Sequence, residues 1–261
     1  MNLSFDIELA TRYKSNSQRV RVMSEQWVAD NVYCPCCGNS HLRKLKNNTP
    51  VSDFVCEKCQ KIFELKSKCQ HIGTKIAGSA YSKMIERITS ATNPELLVLQ
   101  YSKDYNVQNL VFVPSFFFTP DVIEKRPPLS KTARRAGWIG SNILYKNIPQ
   151  QGKINLITDG LMANIGDTIK AYNHIKKLHV SNIDSRSWIL DVLNCINSLR
   201  TDDFYLSDVY QYTNYLSRKH PQNHHIEAKI RQQLQVLRDK GFIVFLGNGR
   251  YRKVSHSLTL S

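Results

Sequence analysis

Four of the chain's seven cysteines stand as two C-x-x-C pairs, Cys34/Cys37 and Cys56/Cys59, with eighteen residues between the pairs. Two such pairs can set four thiolates tetrahedrally around one zinc ion, and the separation falls within the range of zinc ribbons. A ribbon over about residues 33–60 would tie two turns together whatever the surrounding chain does. Four thiolates leave no open coordination position, so the expected role is structural. Disulfides fit less well, because the N-terminus MNLSFDIELA has no basic segment followed by an apolar one and gives no secretory signal. An intracellular, cytoplasmic chain is the expectation. Cys36 has no partner at ligand spacing and reads as a spare. Cys69 and Cys195 are isolated and read as small buried hydrophobes.

Charge narrows the partner. Thirty-six Lys and Arg against 21 Asp and Glu leave +15, a surplus that favours a polyanion. A membrane span is excluded, since the most apolar stretch, Leu110 to Phe118, is broken by Pro114 and falls short of about 20 residues. Hydrophobic residues make up 41% of 261, enough for one or two domains with real cores. Nucleic acid is the expected ligand.

Periodicity gives the organisation. Residues 1 to about 31 carry an apolar pattern at helical spacing, from Phe5, Ile7 and Leu9 through Val20, Met23, Trp27 and Val28. A second helix is expected over Ala77–Thr89. Leu96–Leu99 and Leu110–Val113 read as buried strands, so the first 180 residues or so have the alternation of an α/β domain. A linker is placed at Val180–Asp184. Beyond it come three helical patterns, around Trp188–Ile196, Phe204–Tyr212 and Asn223–Lys240, the last ended by Gly241. Strand Phe242–Leu246, the turn Gly247-Asn248-Gly249 and strand Arg250–Val254 complete the order of a winged helix-turn-helix over 181–261.

Three constellations carry chemistry. Asp53, Glu64 and Lys66 flank the second cysteine pair as D-x₁₀-E-x-K. If that pair forms a hairpin tip, Asp53 lies on the ascending strand and Glu64 and Lys66 share one face of the descending strand. Two carboxylates that hold Mg²⁺ and an ammonium near the scissile phosphate are what phosphodiester hydrolysis needs. On spacing alone the same triad reads equally as three charges on a solvated hairpin. Second, Lys131–Gly140 brings Arg134, Arg135 and Trp138 together, suited to phosphate, guanine and a base or methyl face, or else to a loop whose Trp enters the core. Third, the last long helix turns His225, Arg231, Gln232 and Gln235 outward if Ile226, Ile230, Leu234 and Leu237 face inward. Arg250, Arg252, Lys253 and Tyr251 in the wing suit backbone contacts. The bland alternative is a solvated face in a protein-interaction domain. His220, His224 and His225 lack a partner at ligand spacing and read as a polar loop and helix start.

A family resemblance emerges from longer stretches. Tyr13–Gln18, Asn47-Asn48 through Asp53, Glu64–Lys68, Thr132–Gly140 and Lys229–Lys240, together with both cysteine pairs, resemble the DpnI-like methyl-directed restriction endonucleases along nearly the whole chain. The resemblance implies a PD-(D/E)XK nuclease core, over 1–180, with an inserted zinc site, followed by the winged helix. It implies cleavage of both strands of duplex DNA at GATC carrying N6-methyladenine, by a monomer with no small-molecule cofactor. Asp53, Glu64 and Lys66 fall on the nuclease motif, with Ser52 where the motif has proline. Asp53, Glu64 and the Leu65 carbonyl fall on the magnesium ligands, and the four paired cysteines on the zinc ligands. Two readings compete: a non-catalytic zinc and winged-helix DNA-binding regulator, and a zinc-ribbon protein bound to RNA. The intact triad argues against the first and the winged-helix order against the second.

Overall fold

The computed structural model describes residues 2–46, 49, 52–90 and 92–254. Asn47 and Asn48, quoted above for the resemblance, lie outside the described residues. The chain divides into two units, one of Met1–Lys146 with Gly152–Lys176 and one of Asn147–Gln151 with Lys177–Ser261.

The first unit opens differently from its periodicity. Helix α1 is Asn16–Asn31, and among the described residues before it the one helical element is a 3₁₀ turn at Glu8–Ala10. Phe5, Ile7 and Leu9 are spaced by two, and Phe5 alone is buried while Ile7 and Leu9 are exposed. Neither a helix nor a strand runs through all three: Phe5 lies on extended backbone that pairs with the β5–β6 turn, and Ile7, with φ −70° and ψ −21°, already leads into the 3₁₀ turn. Val107 donates its N–H to Leu3 O at 2.8 Å and Phe5 donates to Tyr105 O at 2.9 Å. The Phe5 ring then sits among Trp27, Tyr101 and Tyr105.

Strands β1 (Arg43–Lys44), β2 (Phe54–Val55) and β3 (Ile62–Cys69) follow. Then come β4 (Ile76–Ala80) and helix α2 (Tyr81–Ile88). The helix expected from Ala77 thus begins four residues late. Its first residues are instead claimed by strand pairing with β8 (Ile139–Ile143). Gly78 permits this approach, because a Cβ there would lie 2.4 Å from Ser141 Oγ. Strands β5 (Glu95–Tyr101) and β6 (Val107–Val113) contain the two expected apolar runs, buried almost throughout. Strand β7 is Ile123–Pro128, and β9 (Ile154–Thr158), β10 (Leu161–Met162) and helix α3 (Ile165–Ile175) complete the unit.

Seven strands form a mixed sheet in the order β1-β2-β3-β5-β6-β9-β10, in which only β3 and β5 pair in parallel. Parallel neighbours need a crossover, and the β4–α2 segment supplies it. A separate antiparallel sheet, β4-β8-β7, carries the loop that joins β7 to β8. Helix α3 is capped by the Asn164 side chain, which accepts from Gly166 N and Asp167 N. Its Tyr172 packs on Phe112 of β6.

The second unit contains α4 (Ile183–Asn197), β11 (Asp203–Tyr205), α5 (Leu206–Tyr210), α6 (Thr213–Lys219), α7 (Ile226–Asp239), β12 (Ile243–Gly247) and β13 (Arg250–Lys253). The second expected helix, over Phe204–Tyr212, is in fact a strand end, a short helix and then a further one. Phe204 and Tyr205 join the wing sheet, whose order is β11-β13-β12. Ile230, Leu234 and Leu237 of α7 have no exposed surface, as their spacing requires. Gly241 ends that helix with φ +80°, and Gly247, Asn248 and Gly249 all have positive φ in the wing turn.

Candidate active site and metal centre

The two C-x-x-C turns are built alike. In each, the residue after the second cysteine has positive φ (Gly38 +75°, Gln60 +60°) and returns its N–H to the first cysteine's carbonyl at 2.8 Å. Backbone N–H groups then point at sulfur: those of Cys36 and Cys37 at Cys34, Asn39 at Cys37, Lys58 and Cys59 at Cys56, and Lys61 at Cys59. Burial opposes ionisation of Cys56, yet these donors hold its thiol below the usual value. Burial raises Cys37 and Cys59.

The four Sγ atoms lie within 4.8 Å of one another, with Cys34–Cys59 and Cys37–Cys56 at 3.6 Å. A zinc–sulfur distance of about 2.3 Å gives tetrahedral edges of about 3.8 Å. The cluster fits zinc, and it is the one group of its kind among the described residues. Cys36 stays outside it. Cys195 is buried as expected, with its thiol pushed up to about 12 by burial. Cys69 is not: it is the last residue of β3, whose burial falls away along its second half, and it is exposed.

The second cysteine turn is the tip of the β2–β3 hairpin, closed by Cys56 N donating to Lys61 O at 2.9 Å. Phe54 pairs with Phe63, so Asp53, one residue ahead of β2, stands across from Glu64. Its N–H donates to Phe63 O at 2.8 Å and its carbonyl accepts from Leu45 N. Leu65 N donates to Asp53 Oδ2 at 2.7 Å. Lys66 Nζ reaches Glu64 Oε1 at 2.6 Å, which places both side chains on one face of β3. Asp53, Glu64 and Lys66 are therefore brought together beside the cysteine turn.

A further acid joins them. Glu25 of α1 is 4% exposed and pairs with Arg21 at 2.6 Å and Lys44 at 2.7 Å. Burial pushes the Asp53 carboxyl up, against the Leu65 N–H, and the charges of Glu25 and Glu64 push it further. Carboxylates crowded in this way, with a lysine at their edge, form the hard oxygen donor set that a divalent cation would complete. No motif flagged Glu25; the available signal was an acid at i+4 from Arg21 within the buried stripe of α1. Anchoring comes from Glu95, 1% exposed at the start of β5, which accepts from Ser115 N at 2.6 Å and pairs with Lys61 at 2.8 Å.

The β7–β8 loop presents Arg134 and Arg135 to solvent. Trp138 is half-buried: its ring packs on Gly140, whose hypothetical Cβ would lie 2.7 Å from the indole, and the Arg135 guanidinium stands 4.9 Å from the ring centroid. In the second unit His225, Arg231, Gln232 and Gln235 are exposed at or along α7, and Arg231 donates to the Tyr210 hydroxyl at 2.6 Å. Arg250 and Arg252 are not unpaired cations; both bind Asp203. His220 is buried, stacked on Trp188 at 3.8 Å with Nε2 2.9 Å from Asp191 Oδ2, a partner that sequence spacing did not reveal.

A mixed α/β sheet unit with a four-cysteine cluster, followed by a helix-turn-helix with a wing, defines a two-unit protein of the DNA-binding class. Residues 1–181 match the DpnI (Dam-replacing) family, and residues 184–253 match its Dam-replacing HTH domain. The chain belongs to the Dam-replacing family, which implies a methylation-dependent restriction nuclease that binds DNA. No helix among the described residues is long and apolar enough to cross a membrane.

Proposed function

We propose that this protein cleaves both strands of duplex DNA at GATC sites carrying N6-methyladenine, with a PD-(D/E)XK nuclease domain over 1–180 and a reading domain over 181–261. The observation that carries the reading is the convergence of Asp53, Glu64 and Lys66 on one hairpin within the family-matched half. Magnesium, held by Asp53, Glu64 and the Leu65 carbonyl, would polarise the phosphate and lower the pKa of an attacking water. The chain's own contributions are distinct. The Leu65 N–H fixes the Asp53 carboxylate, leaving its other oxygen to a ligand. Lys66, held by Glu64, offers an ammonium to the negative charge that develops on the phosphate.

Burying one methyl gives about 0.8 kcal/mol, roughly fourfold, too little to spare unmethylated DNA. Two methyls per palindrome and two reading domains multiply that preference. Trp138 and the α7 face around Gln232 and Gln235 are the proposed readers, with Arg134, Arg135, His225 and Arg231 beside them. The test is digestion of one plasmid prepared with and without adenine methylation, in magnesium. Cutting restricted to the methylated form is expected; no cutting of either would leave a DNA-binding regulator.

A further inference from the structure

The wing was expected to offer arginines to the DNA backbone, yet both arginines are already occupied. Arg252 lies directly opposite Asp203 in the β11–β13 pairing, and Arg250 two residues away opposite Tyr205, so all three charged side chains share one face of the sheet. Asp203 Oδ1 accepts from Arg252 Nε, and Oδ2 accepts from Arg252 Nη2 at 3.0 Å and Arg250 Nη2 at 2.6 Å. One carboxylate thus engages two guanidinium groups, one of them through a fork. Arg250 and Arg252 remain about half exposed. Arg252, ahead of Arg250, holds the Asp203 carboxyl down at about 2, so it is ionised wherever DNA would be bound.

The opposite face of the wing sheet is aromatic. There Phe204, Tyr251 and Phe245 form an aromatic row across the three strands, with Phe204 fully buried and Phe245 exposed at the edge. The charged cluster of Asp203, Arg250 and Arg252 lies apart from that row and is half open to solvent, and its own charge is one positive unit in place of two, with Asp202 also near Arg252.

We propose that Asp203 is a built-in competitor for the DNA backbone, holding the two wing arginines in the place a phosphate would take. Binding at the wing is then an exchange of carboxylate for phosphate, and the displaced carboxylate remains beside the DNA as a repelling charge. In a chain with a surplus of +15 this restrains the sequence-independent part of binding. It does not touch the base contacts of α7, so it acts alike on methylated and unmethylated duplex. The inference rests on the reading that the wing meets DNA.

The test uses the full chain without added magnesium and duplexes containing methylated or unmethylated GATC. Asp203→Asn should tighten binding to both roughly three- to tenfold and leave their ratio unchanged. The slope of log K against log salt should steepen by about 0.9 for each arginine that gains a phosphate. Asp203→Ser should do the same, which guards against a local effect of the amide. In Asp203→Asn combined with Arg250→Ala and Arg252→Ala the gain should vanish. Unchanged or weaker binding by both Asp203 variants overturns the proposal. Failure of the wing reading looks different: Arg250→Ala with Arg252→Ala, in the presence of Asp203, would then leave affinity and salt slope untouched.

Discussion

The backbone N–H of Leu65 donates to Asp53 Oδ2 at 2.7 Å, across a hairpin whose tip is a cysteine turn. This bond orients the carboxylate from the same strand that carries Glu64 and Lys66. Asp53→Ala and Glu64→Ala should each lower cleavage of methylated DNA by about 10³-fold or more, the loss of several kcal/mol of charge stabilisation. Binding measured without magnesium should be retained. Cleavage at the parental rate by either variant would remove these residues from the chemistry.

The cysteine cluster makes a second prediction. Native mass measurement should find one zinc per chain, and Cys56→Ser should lose it. Because structural zinc contributes about 10–16 kcal/mol of apparent binding energy in small fingers, the β2–β3 hairpin should unfold when the metal is withdrawn by a chelator. Chain that keeps its melting temperature in excess chelator would contradict this.

Gly140 tests the placement of Trp138. An added methyl would press on the indole at 2.7–2.8 Å, so Gly140→Ala must displace the ring. Trp27 and Trp188 are 4% and 2% exposed, which leaves Trp138 as the tryptophan that a soluble quencher reaches most readily. Acrylamide quenching should rise in Gly140→Ala, and the ratio of methylated to unmethylated cleavage should fall. Altered quenching with an unaltered ratio would show that Trp138 does not read the methyl.

Glu95 predicts stability. Glu95→Gln removes the charge that holds Lys61 and weakens the acceptor for Ser115 N. Lys61 is about half exposed and can return to water, so the expected loss is about 1–3 kcal/mol in denaturant unfolding, not the larger cost of stranding a buried charge.

The wing has a definite acid response. The Asp203 carboxyl is lowered in the folded state by Arg252 and Arg250, with Asp202 also near Arg252. A depressed acid stabilises the fold fully above its unfolded value of 3.8 and loses that contribution as pH falls through about 2. Acid unfolding curves of the parent and Asp203→Asn should therefore differ above pH 4 and converge below pH 2. A difference that grows on acidification would reverse the sign and refute the pairing.

Elements whose cause is local or periodic are legible in the order of residues alone. The C-x-x-C turns, the apolar runs of β5 and β6, the stripe of α7 and its Gly241 stop all follow from spacing and residue type. So does the nearness of Asp53, Glu64 and Lys66, because a short hairpin converts sequence distance into register. The rest depends on contacts between distant parts of the chain. Phe5 takes an extended path because Trp27, Tyr101 and Tyr105 bury it, and Ala77–Ala80 become a strand because β8 offers open hydrogen bonds. Glu25, Glu95, the Asp191–His220 pair and the hold of Asp203 on two arginines join residues up to 49 positions apart. Charges so distant in the chain meet only when the sheet and helices bring them within hydrogen-bonding reach, and no local pattern encodes that meeting.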